Sequence, residues 1–443
     1  MKIFFIVLFF STITLHADEP SMIFSQKIFE LQKNSEHLLT KVDIAHTKSS
    51  KNIITQVLTD SQNKIPKEFA YSDFFKKSVN FWFHVYTQYD QSEVLIHDKG
   101  NPGLVYTTLN FDFLHKIYPD DFDRVKVQNH LAGVKLLQIK NDLEKIAAGK
   151  NITNKSLKKT LIDYFGKIPK KKTLLTLSEE LRTQTGLRDH IQLAVNNLEG
   201  YQLIFNKLTK DFSLPSEIVA LSILESRFNP DAVSIVDAKG IWQIMPYIGA
   251  ILFPKDKNIQ YEKSIPISTL GAFEILRQNY RFFKNWGLAL TAYNSGIQRV
   301  RKQLKNVPKN QQSLEGLIKF NKSDSLGFAA FNFYTEFLAL VHTVEYSNLI
   351  FSKHKFDHHS NLYFYFTNCS LKPKSFFKAF DKPELVEDLN QHLELELEYP
   401  RGIIIASHVP LTKKRYTLIP PDIYRFTRVS DFKKKIKLKP CRN

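Results

Sequence analysis

The sequence predicts a mainly α protein with a small α+β region towards its C-terminal end. Three observations carry that prediction. Apolar residues recur at helical spacing over Pro20 to Lys64, Phe111 to Lys207 and Tyr201 to Leu349, as expected when each helix buries one stripe. Prolines fall where helices tolerate them, with Pro215 opening one such pattern and Pro230 lying beyond its end. Past Phe351 the composition shifts to aromatic and β-branched runs, which strands prefer.

A chain of 443 residues exceeds what one core usually organises, so two or three domains are expected. An apolar share of 43% points away from disorder and from a multi-span membrane protein. Lys and Arg outnumber Asp and Glu by 62 to 44, a net charge of +18. That excess either draws polyanions, whether nucleic acid, acidic lipid or wall polymer, or reflects a lysine-rich proteome.

The elements are expected in the following order. Met1-Lys2 is positively charged, Ile3 to Phe10 is an unbroken apolar run, and Leu15-His16-Ala17 offers a small residue before a cut. Residues 1–17 therefore read as a secretory signal peptide, with an uncleaved anchor as the alternative. Export implies a periplasmic or envelope location, disfavours a nucleic-acid partner and turns the basic charge towards the envelope. No cysteine lies near the cut, so the chain is not read as a lipoprotein. Residues 18–200 form a helical N-terminal region. Inside it Glu93 to Asp98 reads as a short strand running into a Gly100-Asn101-Pro102-Gly103 turn, and Ile168 to Lys172 as an exposed linker.

Residues 201–350 are a second helical block, and residues 351–443 a separate C-terminal α+β region. There Tyr363 to Phe366, Arg401 to Ala406 and Arg415 to Pro420 read as strands, with helices over Lys374 to Phe380 and Pro383 to Leu389. That strand–helix–helix–strand order resembles an enlarged, degenerate LysM module, a peptidoglycan-binding fold. Lys433 to Lys439 reads as a solvated basic arm able to touch acidic lipid or polymer. Cys369 and Cys441 are the only cysteines; they either bridge, as an oxidising compartment permits, or stay as buried thiols.

The informative block is Leu214 to Pro230. Ile218, Leu221 and Glu225 are three and four residues apart, so they share one helix face. Glu225 extends an apolar stripe there. A desolvated carboxyl holds its proton near neutrality, as a general acid at a glycosidic oxygen requires. A buried structural glutamate is the competing reading for that residue taken alone.

The residues around it decide between the two. Glu225-Ser226-Arg227-Phe228-Asn229 is followed by Gly240-Ile241-Trp242-Gln243-Ile244-Met245-Pro246 and then by Ala292-Tyr293-Asn294-Ser295-Gly296. In this order the three blocks resemble the E-S-x-F-N, G-x-x-Q-I-M-P and A-Y-N-x-G elements of lytic transglycosylases with a goose-type-lysozyme-like core, glycoside hydrolase family 23. The resemblance is clear over about residues 201–345. The Phe81–Leu104 region resembles the N-terminal part of one branch of that family more loosely.

The resemblance implies a lysozyme-like helical catalytic domain. It makes Glu225 the catalytic acid and base, with Ser226 setting its carboxyl and helix end. Ser234 falls near the substrate's N-acetyl group, Gln243 matches the second block's glutamine, and Tyr293 matches the tyrosine that contacts the reacting sugar. Asn294 completes that turn, unless it caps the following helix. Trp242 is expected to line the cleft as a sugar platform, while Phe228 and Met245-Pro246 read as packing and turn residues.

The implied reaction cleaves the MurNAc-GlcNAc β-1,4 bond of peptidoglycan and leaves 1,6-anhydro ends, with peptidoglycan strands as partner and no cofactor. Two other functions stay open, a lysozyme-type muramidase using water and a non-catalytic peptidoglycan-binding protein. One departure stands out. Many relatives carry a second glutamate in an E-T-x-x-Y element, and Ala329 to Phe333 occupies that stretch here. This removes one candidate second carboxylate and leaves Asp231 and Asp237, which read as surface loop. His354, Asp357, His358 and His359 form the only metal-like cluster; without a defined framework it reads as a solvated linker, and no metal is expected.

Overall fold

The computed structural model describes residues 37–254, 258–320, 325–352, 361–411 and 415–441. The expected signal peptide and the His354–His359 cluster lie outside the described residues. Contacts gather the chain into two compact units. One takes the described residues up to Thr59 together with Tyr71–Asp189; the other takes Asp60–Ala70 and the described residues from His190 onward.

The first unit is built on β1 (Asp43–Ile44), α1 (Lys51–Leu58), α2 (Asp73–Thr87), β2 (Glu93–Asp98), β3 (Val105–Asn110), α3 (Asp121–Ala147), α4 (Lys155–Phe165), α5 (Lys171–Glu179) and β4 (Leu181–Thr185). α1, α3 and α4 start on side chains that satisfy the first free amides. Ser50 accepts from the Ile53 amide and Asp120 from those of Phe122 and Asp123. The strands form one antiparallel sheet in the order β1-β3-β2-β4. Central β2 is buried along its whole length and pairs Leu95 with Thr108 on one side and Gln184 on the other. The Gly100–Gly103 turn joins β2 to β3, held by the Asn101 amide on Asp98 Oδ1 at 2.7 Å.

The sequence reading of residues 18–200 contained one strand of this sheet, Glu93 to Asp98, and not its partners. β3 buries Tyr106 and Leu109, three residues apart, and β4 (Leu-Arg-Thr-Gln-Thr) is half-buried throughout. Neither alternates in hydrophobicity with period two, so the ladder alone defines them. Of the expected linker Ile168 to Lys172, Ile168 and Pro169 are half-buried and Lys170 is exposed, while Lys171 and Lys172 open α5.

The second unit opens with α6 (Arg188–Gly200) and α7 (Gln202–Phe212). A 3-10 turn (Ser216–Val219), α8 (Ala220–Ser226), α9 (Pro246–Leu252), α10 (Ile265–Phe283), α11 (Trp286–Ser295), α12 (Ile297–Leu304), α13 (Leu314–Phe320) and α14 (Ser325–Glu345) follow. Its core is aromatic. Phe205 meets Phe228 at 6.0 Å, Trp242 meets Phe273 at 5.5 Å, and Phe212 meets Phe273 at 5.7 Å between ring centres. Ser264 starts α10 and Asn285 starts α11 by accepting from the Ile267 and Leu288 amides.

In the same unit β5 (Tyr363–Thr367), α15 (Pro373–Phe377), α16 (Pro383–Leu389) and β6 (Ile404–Ser407) follow in the expected order, with β5 and β6 antiparallel. β7 (Tyr416–Leu418) adds to the other edge of β5. Cys369 and Cys441 form a disulfide. This region packs on the α10 end of the helical block. Ser264 Oγ donates to the Leu389 carbonyl at 2.9 Å, and the Ile404 amide donates to the Tyr261 hydroxyl at 3.3 Å. The chain is mainly α, and among the described residues no helix is long and apolar enough to cross a membrane.

Candidate active site

Pro215 does not begin the helix that carries Glu225. It precedes the 3-10 turn Ser216–Val219, and α8 starts only at Ala220. Ala220, Leu221 and Ile223 are buried, so this seven-residue helix is held by packing, not by its own length. It ends abruptly. Arg227 and Phe228 both take left-handed backbone, φ 55° and 59°, although neither is a glycine. Phe228 is driven into the core against Phe205 and Tyr201, and that burial offsets the strain. Such strain collects at functional sites.

Ser226 ties this helix end to the next block. Its hydroxyl donates to the Ser222 and Ile241 carbonyls, both at 3.2 Å, and accepts from the Asn229 amide at 3.1 Å. The segment beyond is a folded loop in which Lys239 bridges both Val233 and Ile244. Ser234 organises its tip: its hydroxyl accepts from the Val236 and Ala238 amides at 3.3 and 3.0 Å. Gly240 is required here. Its φ is +73°, and a Cβ would lie 1.9 Å from the Glu262 carbonyl oxygen. Gln243 is also left-handed, φ 46°, and its amide nitrogen donates to the Gly240 carbonyl at 3.0 Å and the Ala232 carbonyl at 3.3 Å.

Between those two turns, Ile241 and Trp242 fold inward and are fully buried. Trp242 Nε1 donates to Thr269 Oγ1 on α10 at 2.9 Å. The expected sugar platform is therefore a core ring, placed there by the left-handed residues on either side. What Trp242 presents to the site is its carbonyl, which accepts from the Tyr293 hydroxyl at 2.7 Å.

Tyr293 lies in the last part of α11. Burial and the nearby Glu225 carboxyl push its phenol well above the ordinary range. Asn294 is the next residue of the same helix and is half-buried; Gly296, not Asn294, stands at the start of α12. Glu225 itself is pushed up to about 8, first by burial and then by the charge of Glu336. It is protonated at neutral pH.

Glu336 is a buried carboxyl that the sequence reading missed. The Ala329–Phe333 stretch does lack a glutamate, but a second carboxyl enters one step later on α14, where Glu336 is 2% exposed. The signal was present. Glu336 stands in the largely apolar stretch Phe331 to Leu340, which also holds Asn332 and Thr335, and a glutamate is almost never fully buried unless paired. Asp231 and Asp237 sit on the exposed loop in ion pairs with Lys263 at 2.9 Å and Lys239 at 3.5 Å. The structure thus ties Tyr293 to the Trp242 carbonyl, while Ser226 and Gln243 hold the turns of the loop that follows α8.

Residues 202–315 match the family model of the transglycosylase SLT domain. The matched span includes Glu225, Ser226, Ser234, Trp242, Gln243, Tyr293 and Asn294, whereas Glu336 falls outside it. Membrane-bound lytic murein transglycosylase D of Escherichia coli strain K12 is 40% identical to this chain over 98 residues. Its counterpart in Escherichia coli O6:H1 matches to the same extent. The matched stretch spans 22% of this chain and 22% of each relative. The SLT domain is lysozyme-like and helical, in keeping with the helical block from α7 to α13.

Proposed function

We propose that this protein is a lytic transglycosylase that cleaves the MurNAc-GlcNAc β-1,4 bond of peptidoglycan through Glu225. The observation that carries the reading is a carboxyl held protonated to about pH 8 at the end of α8, inside a span matching the SLT domain. The similarity to a murein transglycosylase supports the substrate class.

Glu225 protonates the glycosidic oxygen, and the bond to the muramoyl anomeric carbon breaks. The substrate's own acetamido group stabilises the oxocarbenium-like centre, an exception to the rule of two working carboxylates. Glu225, now ionised, takes the proton of the O6 hydroxyl, and that oxygen closes on the anomeric carbon. The ends are 1,6-anhydromuramoyl groups and no water is consumed. Because the nucleophile belongs to the same sugar, its effective concentration is high. Tyr293, anchored on Trp242, borders the carboxyl; Ser226 and Gln243 hold the loop that faces it; Ser234 and Asn294 flank the same cleft.

The reading puts the protein in the cell envelope, where its polymer is. Exposed Lys433, Lys435, Lys437 and Lys439 suit a peripheral contact with acidic lipid or wall polymer, and the β5–β6 region suits a degenerate LysM-like wall-binding role. Mass spectrometry of purified murein digested by the protein tests the reaction. Products one water lighter than reducing ends are expected, and they disappear with Glu225→Gln. Reducing ends alone would identify a water-using muramidase instead. No cleavage by the folded wild-type protein would leave a binding role only.

A further inference from the structure

No acidic residue stands between Glu274 and Glu315, the stretch that runs from α10 through α11 and α12 into α13. Its charges are all of one sign. Arg281, Lys284, Arg301, Lys302, Lys305 and Lys309 are exposed there. α12 sorts its own by helical geometry. Val300 and Leu304 are buried, whereas Arg301, Lys302 and Lys305 share the opposite, solvent-facing side. The end of α10 belongs to the same patch, because the Arg301 guanidinium lies 5.6 Å from the centre of the Phe282 ring. Arg301 and Lys305, four residues apart, repel each other, and no acid within the stretch relieves them. A merely solvated face mixes both signs, whereas a face of one sign gathers the opposite charge around it.

Resting on the reading of the protein as a murein-cleaving enzyme, we propose that this α10–α12 face holds the stem peptides of the glycan strand through their carboxylates. Only Gly296 separates α12 from α11, the helix that ends on Tyr293, Asn294 and Ser295. The cations therefore lie on the helix pair that carries part of the candidate site. The sugars of the strand bear neutral hydroxyls and acetamides. Its negative charge sits on the short peptides hung from the muramoyl lactyl groups, and free carboxylates there accept from Lys and Arg. A membrane fits this face less well. Entering lipid headgroups takes exposed apolar side chains among the cations. The one large apolar side chain exposed in the stretch, Phe282, is engaged by Arg301. The face thus selects peptide-bearing strands over bare glycan, independently of the proton transfer at Glu225.

Co-sedimentation with intact murein sacculi in a Glu225→Gln background reads binding without cleavage. Lys302→Glu, Lys305→Glu and Lys309→Glu together are expected to weaken binding about tenfold at low salt, since exposed ion pairs that are weak singly add up. The gap should close as salt screens the charges. On strands stripped of their peptides by an amidase, parent and variant should bind within about twofold of each other. Lys302→Gln with Lys305→Gln only neutralises. It should lose less, in the same direction, and it decides if the reversed variant does not fold. Equal binding of parent and variants to intact sacculi overturns the proposal, and so does an equal loss on stripped strands. A parent that does not sediment with sacculi overturns it too. A loss confined to phosphatidylglycerol vesicles would make the face a membrane contact and overturn it as well. Cleavage by the wild-type chain is measured separately, so the two readings fail separately. A wild type that releases no anhydro ends refutes the reading of Glu225, while charge-dependent binding to peptide-bearing sacculi would still uphold the stem-peptide contact.

Discussion

The Tyr293 hydroxyl donates to the main-chain carbonyl of Trp242 at 2.7 Å. One bond therefore fastens the end of α11 to the Gly240–Gln243 segment. Tyr293→Phe removes that bond and keeps the ring. The expected loss of stability is about 1 kcal/mol. Cleavage is expected to fall by more than that, up to about a hundredfold, because small displacements of a working group are costly. Thermal melts and initial rates on purified murein give both numbers, and a fully active variant would detach Tyr293 from the site.

Burial of Glu225 has a thermodynamic cost that depends on pH. Its carboxyl ionises near 4.5 in an unfolded chain and near 8 when folded. Between those values the unfolded state has released the proton and the folded state keeps it, so raising the pH favours unfolding through this group. Glu225→Gln does not titrate. Its unfolding free energy should match the wild type below pH 4.5 and exceed it increasingly up to about pH 8, by a few kcal/mol at most. A difference that stays flat with pH would mean that the carboxyl faces water.

The chain made Glu225 legible because a carboxylate in an apolar stripe contradicts its own neighbours, and two further blocks repeat that signal downstream. Tyr293, Gln243 and Ser226 are singled out only by the resemblance of the motif blocks, since nothing in their spacing or polarity marks them. The place of Trp242 was not legible, because backbone angles at Gly240 and Gln243 decide whether its ring faces the cleft or the core. Glu336 was not legible because the family pattern sets its second glutamate in the Ala329–Phe333 stretch, earlier in the same helix. Apart from β2, the N-terminal sheet escaped because β3 and β4 lack alternation. The C-terminal strands, rich in Tyr, Phe and Ile, announced themselves.

Gly240 and Gly149 share a φ of +73° but not their surroundings. A Cβ on Gly149 meets nothing within 4 Å, whereas one on Gly240 meets the Glu262 carbonyl oxygen at 1.9 Å. Gly149→Ala should therefore cost only the conformational penalty, about 1 kcal/mol, and leave cleavage unchanged. Gly240→Ala forces two backbones apart as well, so it should destabilise the fold by more and remove cleavage by displacing Gln243. Parallel melts and murein digests of the two variants compare them directly. Equal effects would show that the contact with Glu262 does not hold the loop.

Trp242 gives the sharpest test of where the loop points. Its ring is fully buried and its Nε1 donates to Thr269 Oγ1 at 2.9 Å. If that is its role, Trp242→Phe removes volume and one hydrogen bond from the core, which is worth about 1–3 kcal/mol. The melting temperature should fall while KM for glycan strands stays near the wild-type value, since the carbonyl that meets Tyr293 is retained. A sugar platform predicts the reverse, a raised KM with an unchanged melt, because stacking on an exposed ring adds affinity without supporting the fold. Thr269→Ala separates the two cases further. It leaves the indole in place without its acceptor, so a core ring should lose stability again and a platform ring should be indifferent.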